Sequence, residues 1–198
     1  MLLQLIFLII FVDILEIMDE ITINGLTFEP YISKEKIDRR VGELAAEIER
    51  DFAGGSPLFV CILTGAFPFA ADLFRAVRLD SEIAFVKLKS YEGTGSTGTV
   101  KQMLGLNEDI EGRDVIIVED IVDTGVTMSR LLEDLAQKDP RNLKVATLLH
   151  KPEALKRPVK LDYVGFAIPN KFIIGYGLDL DGKARNLNDI YILKESLN

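Results

Sequence analysis

The chain has 198 residues, 48% hydrophobic and 27% charged, with a formal net charge of −8 and a pI near 4.8. That is enough chain for one domain with a real core, and its acidic balance offers no electrostatic footprint for nucleic acid or an anionic membrane. The single cysteine, Cys61 in "LFVCIL", rules out an internal disulfide and reads as a small buried hydrophobe, while the single histidine, His150, cannot build a zinc site of the usual spacing.

The first stretch, Leu2 to Val12, is apolar apart from Gln4. It resembles the core of a secretory signal, but no Lys or Arg precedes it, Asp13 and Glu16 follow, and no small-x-small cleavage site comes after. It is also shorter than the roughly 20 residues of a membrane span. Residues 1–17 therefore read as a leader upstream of a natural start at Met18, with a membrane anchor as the alternative.

After Ser33, a candidate N-cap, the residues Ile37, Val41, Leu44, Ala45 and Ile48 recur at helical spacing until Gly54-Gly55. "PLFVCIL" (57–63) is almost wholly apolar, the pattern of a strand covered on both faces. It breaks at Thr64-Gly65-Ala66 and leads into a helix over 68–77. "SEIAFVKLKSY" and "TVKQML" read as two strands joined by "EGTGSTG". Although "GTGSTG" (93–98) matches the dinucleotide fingerprint, no helix opens at its end, so a hairpin tip is the reading. "DVIIV" is another buried strand, and Met128, Leu131, Leu132 and Leu135 mark one face of a helix over 126–138. "LKVATLL" (143–149), "LDYVGFAIP" and "FIIGYG" are further extended segments. Strands alternating with helices predict an α/β fold, a mainly parallel open sheet flanked by helices, with ligands beyond the carboxyl ends of the strands.

"VIIVEDIVDTGVTM" (115–128) concentrates the chemistry. It delivers Glu119 and Asp120 to the sheet edge, and then "DTGVT" turns into the amino end of a helix. Backbone N–H groups there, with the Thr124 and Thr127 hydroxyls, form an anion cradle. Adjacent carboxylates suit vicinal hydroxyls or a hydrated Mg²⁺. One ligand carrying both a phosphate and a sugar diol, a ribose 5-phosphate, reconciles the two.

This stretch resembles the phosphoribosyl pyrophosphate motif of the type I phosphoribosyltransferases. "LKSYEGTGSTG", "LLHKPEA" and "DYVGFAIPNKFIIGYGLDLDGKARNL" resemble the mobile loop, base-recognition strand end and hood of the hypoxanthine–guanine branch. The resemblance runs from about Ile21 to Leu193. It implies one domain over 18–198, with a core over about 34–155 and a small hood built from N- and C-terminal segments, 18–33 and 156–198.

The resemblance also implies roles. Glu119 and Asp120 hold the ribose hydroxyls, directly or through Mg²⁺, and Asp123 is the general base or acid at purine N7. Asp123, Thr124, Gly125, Val126 and Thr127 bind the 5-phosphate. Leu63, Thr64 and Gly65, whose leading peptide is often cis in the family, meet pyrophosphate with Arg185. Ser90 and Tyr91 belong to a lid. Lys151 donates to purine O6, Tyr163 stacks on the ring, and the Val164 main chain reads the 2-position. Two positions depart from the family pattern: Thr64 stands where many relatives have Lys, and Asn170 where the mammalian-type pattern has a metal-binding Asp. The implied reaction is Mg²⁺-dependent transfer of phosphoribose to N9 of hypoxanthine and guanine, in a cytoplasmic homodimer or homotetramer. A xanthine or pyrimidine phosphoribosyltransferase, or a nucleotide-sensing RNA-binding regulator, are the alternative readings on the same fold.

Overall fold

The computed structural model describes residues 19–89 and 101–195. The chain opens with a hairpin, β1 (Ile21–Ile23) and β2 (Leu26–Ile32). Asn24 and Gly25, both at positive φ, form the two-residue turn whose twist matches antiparallel strands. Helix α1 (Lys34–Asp51) then starts at Ser33, whose side chain accepts from the Lys36 amide. Its buried stripe is the one read from the sequence: Ile37, Val41, Leu44, Ala45 and Ile48.

The core sheet follows in the order β5-β4-β3-β6-β7-β8. Its strands are β3 (Leu58–Leu63), β4 (Glu82–Lys89), β5 (Lys101–Leu104), β6 (Asp114–Val122), β7 (Asn142–His150) and β8 (Tyr163–Ala167). All neighbours run parallel except β4 and β5. Helices α2 (Phe67–Ala76) and α3 (Val126–Ala136) provide two of the crossovers. Along β6 the burial alternates cleanly. Ile116 and Val118 join the core shared with α1 and α2, while Val115 and Ile117 join the one beneath α3. Cover on both faces is why these strands read as continuous apolar runs. Cys61 lies within this core, and burial, reinforced by Glu119 and Asp120, pushes its thiol pKa up to about 12, the behaviour of an inert small hydrophobe.

A second sheet, β1-β2-β10-β9, adds β9 (Ile173–Ile174) and β10 (Ile190–Leu193) and forms the hood around Phe28 and Ile174. The division between core and hood departs from expectation in one place. Residues from 156 onward are expected in the hood, yet β8 pairs with β7 and belongs to the core sheet. The carboxyl-terminal hood strands begin only at Ile173. The residues 1–17 and the "GTGSTG" hairpin tip fall outside the described residues. Among the described residues, no helix is long and apolar enough to cross a membrane.

Candidate active site

Strands β3, β6 and β7 end side by side, and the segments leaving them define one cleft. After Val122 the chain makes a tight turn in which Gly125 takes φ +72 and opens α3 without a side-chain cap. The first amides of α3 therefore lack intrahelical partners and face a cavity of about 170 Å³ whose lining includes Glu119, Asp123, Thr124, Gly125 and Thr127. The turn is held from behind, where the Thr124 carbonyl accepts from the amides of Lys156 (2.9 Å) and Arg157 (3.1 Å). Only glycine fits at 125, because a Cβ there would stand 2.5 Å from the Arg157 carbonyl oxygen.

Glu119 and Asp120 project at the carboxyl end of β6. Burial raises both pKa values, that of Glu119 well above the ordinary range with the neighbouring Asp120 adding to the effect. Asp120 is eased by hydrogen bonds, including one from the Ile121 amide (3.0 Å), and by the positive charge of Arg185. Two adjacent acids pushed toward their neutral forms make a site short of positive charge, which fits a bound cation or sugar hydroxyls.

The Leu63–Thr64 peptide is cis, and the turn it begins brings Gly65 so close to Asp120 that any side chain at 65 would collide with that carboxylate. From the hood, Gly177 at φ +99 lies on the Gly65 carbonyl with equal intimacy. Arg185 donates to the Gly177 carbonyl (2.5 Å) and pairs with Asp179 (2.6 Å). The turn after β3, the β6 acids and Arg185 thus come together.

Lys151 follows β7. Its amide donates to the Val122 carbonyl (3.0 Å), which ties the two strand ends together. Its side chain is 9% exposed, with Nζ 3.4 Å from Asp123 Oδ2, while the Asp123 carboxylate remains half open to the cleft. A desolvated donor and an accessible acceptor stand together there.

Three expected contacts are corrected. Tyr163 is buried at the amino end of β8, opposite Ala146, with its hydroxyl donating to Asp51 (2.7 Å) and near Lys144 (3.1 Å). Lys151 lies five residues beyond Ala146, about 16 Å along a strand, so Tyr163 cannot stack on a base held by Lys151. The Val164 carbonyl is occupied by the Arg40 guanidinium (2.8 Å) and is not free to read a ligand. Asn170 is exposed in the turn after β8 and makes no hydrogen bond to the acids of the site among the described residues. The hood acid beside Arg185 is Asp179. Two residues therefore went unread: Asp179, and Phe172, 43% exposed where the chain enters β9. The lid residues Ser90 and Tyr91 lie outside the described residues.

Comparison with known proteins agrees with this geometry. The family model described as "Phosphoribosyl transferase domain" matches residues 31–181. The chain is 41% identical over 167 residues to the hypoxanthine-guanine phosphoribosyltransferase of Bacillus subtilis (strain 168), covering 84% of this chain and 93% of that one. A Bacillus anthracis hypoxanthine-guanine phosphoribosyltransferase structure superposes with a TM-score of 0.80 at 42% identity, covering 84% of this chain and 98% of that one. A Staphylococcus aureus hypoxanthine phosphoribosyltransferase structure gives 0.80 at 38%, covering 84% and 91%. With the phosphate-type turn, the paired acids and the Lys151–Asp123 pair on one sheet edge, these similarities place the chain in the phosphoribosyltransferase family, within its hypoxanthine–guanine branch.

Proposed function

We propose that the protein is a purine-salvage enzyme that transfers the 5-phosphoribosyl group of phosphoribosyl pyrophosphate to N9 of hypoxanthine or guanine, giving IMP or GMP and pyrophosphate. The observation that carries the base assignment is the pairing of Lys151 Nζ with Asp123 Oδ2 at 3.4 Å. Purine position 6 and N7 share one edge. An ammonium there donates to a 6-oxo group, and the adjacent carboxylate accepts the N7 proton. Adenine would present a donor to the donor, a buried mismatch that a polar site rejects by about 10⁴-fold.

In this reading the amides opening α3, with Thr124 and Thr127, hold the 5-phosphate. Glu119 and Asp120 hold the ribose hydroxyls and Mg²⁺, with Asp179 in place of Asn170 as the hood's oxygen donor. When bound, Mg²⁺ supplies charge neutralisation to the leaving pyrophosphate. Arg185 and the Thr64–Gly65 segment meet the same group, so positive charge from the hood and backbone amides from the core act on one leaving group. As N9 attacks C1 of the ribose and the bond to pyrophosphate breaks, Asp123 takes the N7 proton. Phe172 lies beyond Ile168, whose amide donates to the His150 carbonyl beside Lys151 (2.8 Å). It is the ring we assign to the face of the base.

In this reading the enzyme works in the cytoplasm as a homodimer or homotetramer. An apolar hollow lined by Phe67, Ala71, Phe74, Ile83 and Phe85 supports self-association, with Phe67 and Phe85 46% and 48% exposed. A monomeric mass in sedimentation at working concentration would refute it.

The test of function is a spectrophotometric assay with Mg²⁺, phosphoribosyl pyrophosphate and each of hypoxanthine, guanine, xanthine and adenine. Nucleotide should form from hypoxanthine and guanine and not from adenine, and Asp123→Asn should lose about 10²–10⁴-fold in turnover with the fold intact. A folded protein that binds the donor but converts none of the bases would overturn the proposal, and so would near-normal turnover by the variant for the role of Asp123.

A further inference from the structure

The hood lies closely against the pyrophosphate-type loop at Gly177, and the residue before it is built in an unusual way. Tyr176 stands between Gly175 (φ +97) and Gly177 (φ +99) and itself takes φ +48, a conformation that L side chains other than Asn and Asp rarely adopt. Its ring is 3% exposed and part of the main core rather than the hood cluster. Its hydroxyl donates to Asp72 Oδ2 at 2.6 Å. Asp72 belongs to α2, the helix that Leu63-Thr64-Gly65 leads into. The same carboxylate lies 3.7 Å from Lys34 Nζ, and that ammonium stands 5.9 Å above the Tyr176 ring.

Two connections leave this anchor. Gly177 lies against the Gly65 carbonyl and Pro68, and Gly65 in turn lies against the Asp120 carboxylate. Gly177 also exchanges backbone and side-chain hydrogen bonds with Arg185, donating its amide to the Arg185 carbonyl (3.0 Å) and accepting from the guanidinium (2.5 Å). The place where Arg185 and the Gly65 backbone present themselves to a ligand is therefore fixed through Gly177. The peptide of Gly177 is fixed by a tyrosine plugged into the core. Among the described residues, no hydrogen bond or ion pair of the Tyr176 or Asp72 side chain goes to Lys151 or Asp123.

We infer that Tyr176 and Asp72 form a positioning pair that sets Arg185 and the Gly65 loop for the pyrophosphate end of the donor, leaving the base end untouched. The inference rests on the phosphoribosyltransferase reading and extends it to residues that touch no substrate. Tyr176→Phe keeps the ring and removes only the hydroxyl. It should weaken binding of inorganic pyrophosphate with Mg²⁺, measured by calorimetry on the full chain, by about 10-fold, the scale of one charge-assisted hydrogen bond. The KM for phosphoribosyl pyrophosphate should rise in step, with the KM for hypoxanthine unchanged. Asp72→Ala should match it, Asp72→Asn should recover part of the loss because it keeps an acceptor, and the double variant should be no worse than either single one. A melting point lowered with pyrophosphate affinity unchanged would reduce the pair to core packing and overturn the inference. Equal losses at the base and pyrophosphate ends would do the same. Pyrophosphate binding by a wild-type protein that turns over no base would sink the functional reading alone, since this inference is judged on affinity.

Discussion

Lys151→Met exchanges the buried ammonium for a neutral chain of similar length, and its consequences follow from two numbers. The side chain is 9% exposed, so its charge is poorly solvated, and its partner carboxylate, 3.4 Å away, is 47% exposed and able to find water once unpaired. Stability should thus change little, since the variant removes a desolvated charge and leaves a wet one. Catalysis should change a great deal. The lost contact is a charge-assisted hydrogen bond to a 6-oxo group in a dry site, about 1.5–3 kcal/mol, or roughly 10–150-fold in kcat/KM for hypoxanthine and guanine. Adenine should not share the loss, because for it the ammonium is a mismatched donor. The ratio of hypoxanthine to adenine kcat/KM should therefore collapse by at least the hypoxanthine loss. Initial rates with each base, alongside a thermal melt, provide the measurement. If hypoxanthine and adenine fall together, or neither falls, Lys151 does not read position 6.

The phosphate turn and a structural carboxylate away from the site give two more predictions. In Gly125→Ala, φ +72 costs about 1–2 kcal/mol and the new methyl must displace the Arg157 carbonyl. The KM for phosphoribosyl pyrophosphate should rise at least tenfold while the KM for hypoxanthine stays, and an unchanged donor KM would exclude this turn as the phosphate site. Asp114, buried and held by Arg141 (2.9 and 2.5 Å) and Asn142 (2.8 Å), has its pKa lowered chiefly by the hydrogen bonds from Arg141. Its contribution is present above the unfolded carboxylate value and is lost as pH falls through the lower folded value. Asp114→Asn should cost about 1–2 kcal/mol at neutral pH, discounted because Arg141 is 61% exposed, and should flatten the loss of stability below about pH 4. Parallel urea titrations at neutral and acid pH that differ by the same amount would contradict this.

Local signals in the sequence carried the fold a long way. The burial of β3, β6 and β7, the Ser33 cap, the acids at the end of β6 and the turn after it all sit within short stretches whose periodicity or composition reflects their own surroundings. What failed depended on distant partners. "LDYVGFAIP" and "FIIGYG" read equally as extended, and only pairing with β7 sends the first to the core sheet and leaves the second to the hood. Assigning both to the hood put Tyr163 and Val164 at the base. One available rule would have warned against it: ligands lie beyond the carboxyl ends of parallel strands, and Tyr163 begins its strand. Asp179 and Arg185 meet because Gly175, Tyr176, Gly177, Asp181, Gly182 and Ala184 all take positive φ, a folded-back course that glycine spacing only partly announces.

The Arg40 guanidinium on the Val164 and Gly165 carbonyls bears on a different matter. β8 is the last strand on its side of the core sheet, and an outermost strand is a template on which another chain can add. Successive carbonyls along a strand point to opposite edges, so a side chain from α1, itself braced by Glu43 (2.7 Å) and Glu47 (3.2 Å), fills one of the acceptors that an incoming strand would seek. A strand adding at this edge would have to displace that guanidinium from its carbonyl. The phenylalanine-lined hollow of α2 and β4 differs in kind, since it offers side chains rather than open backbone groups and gives a strand nothing to extend.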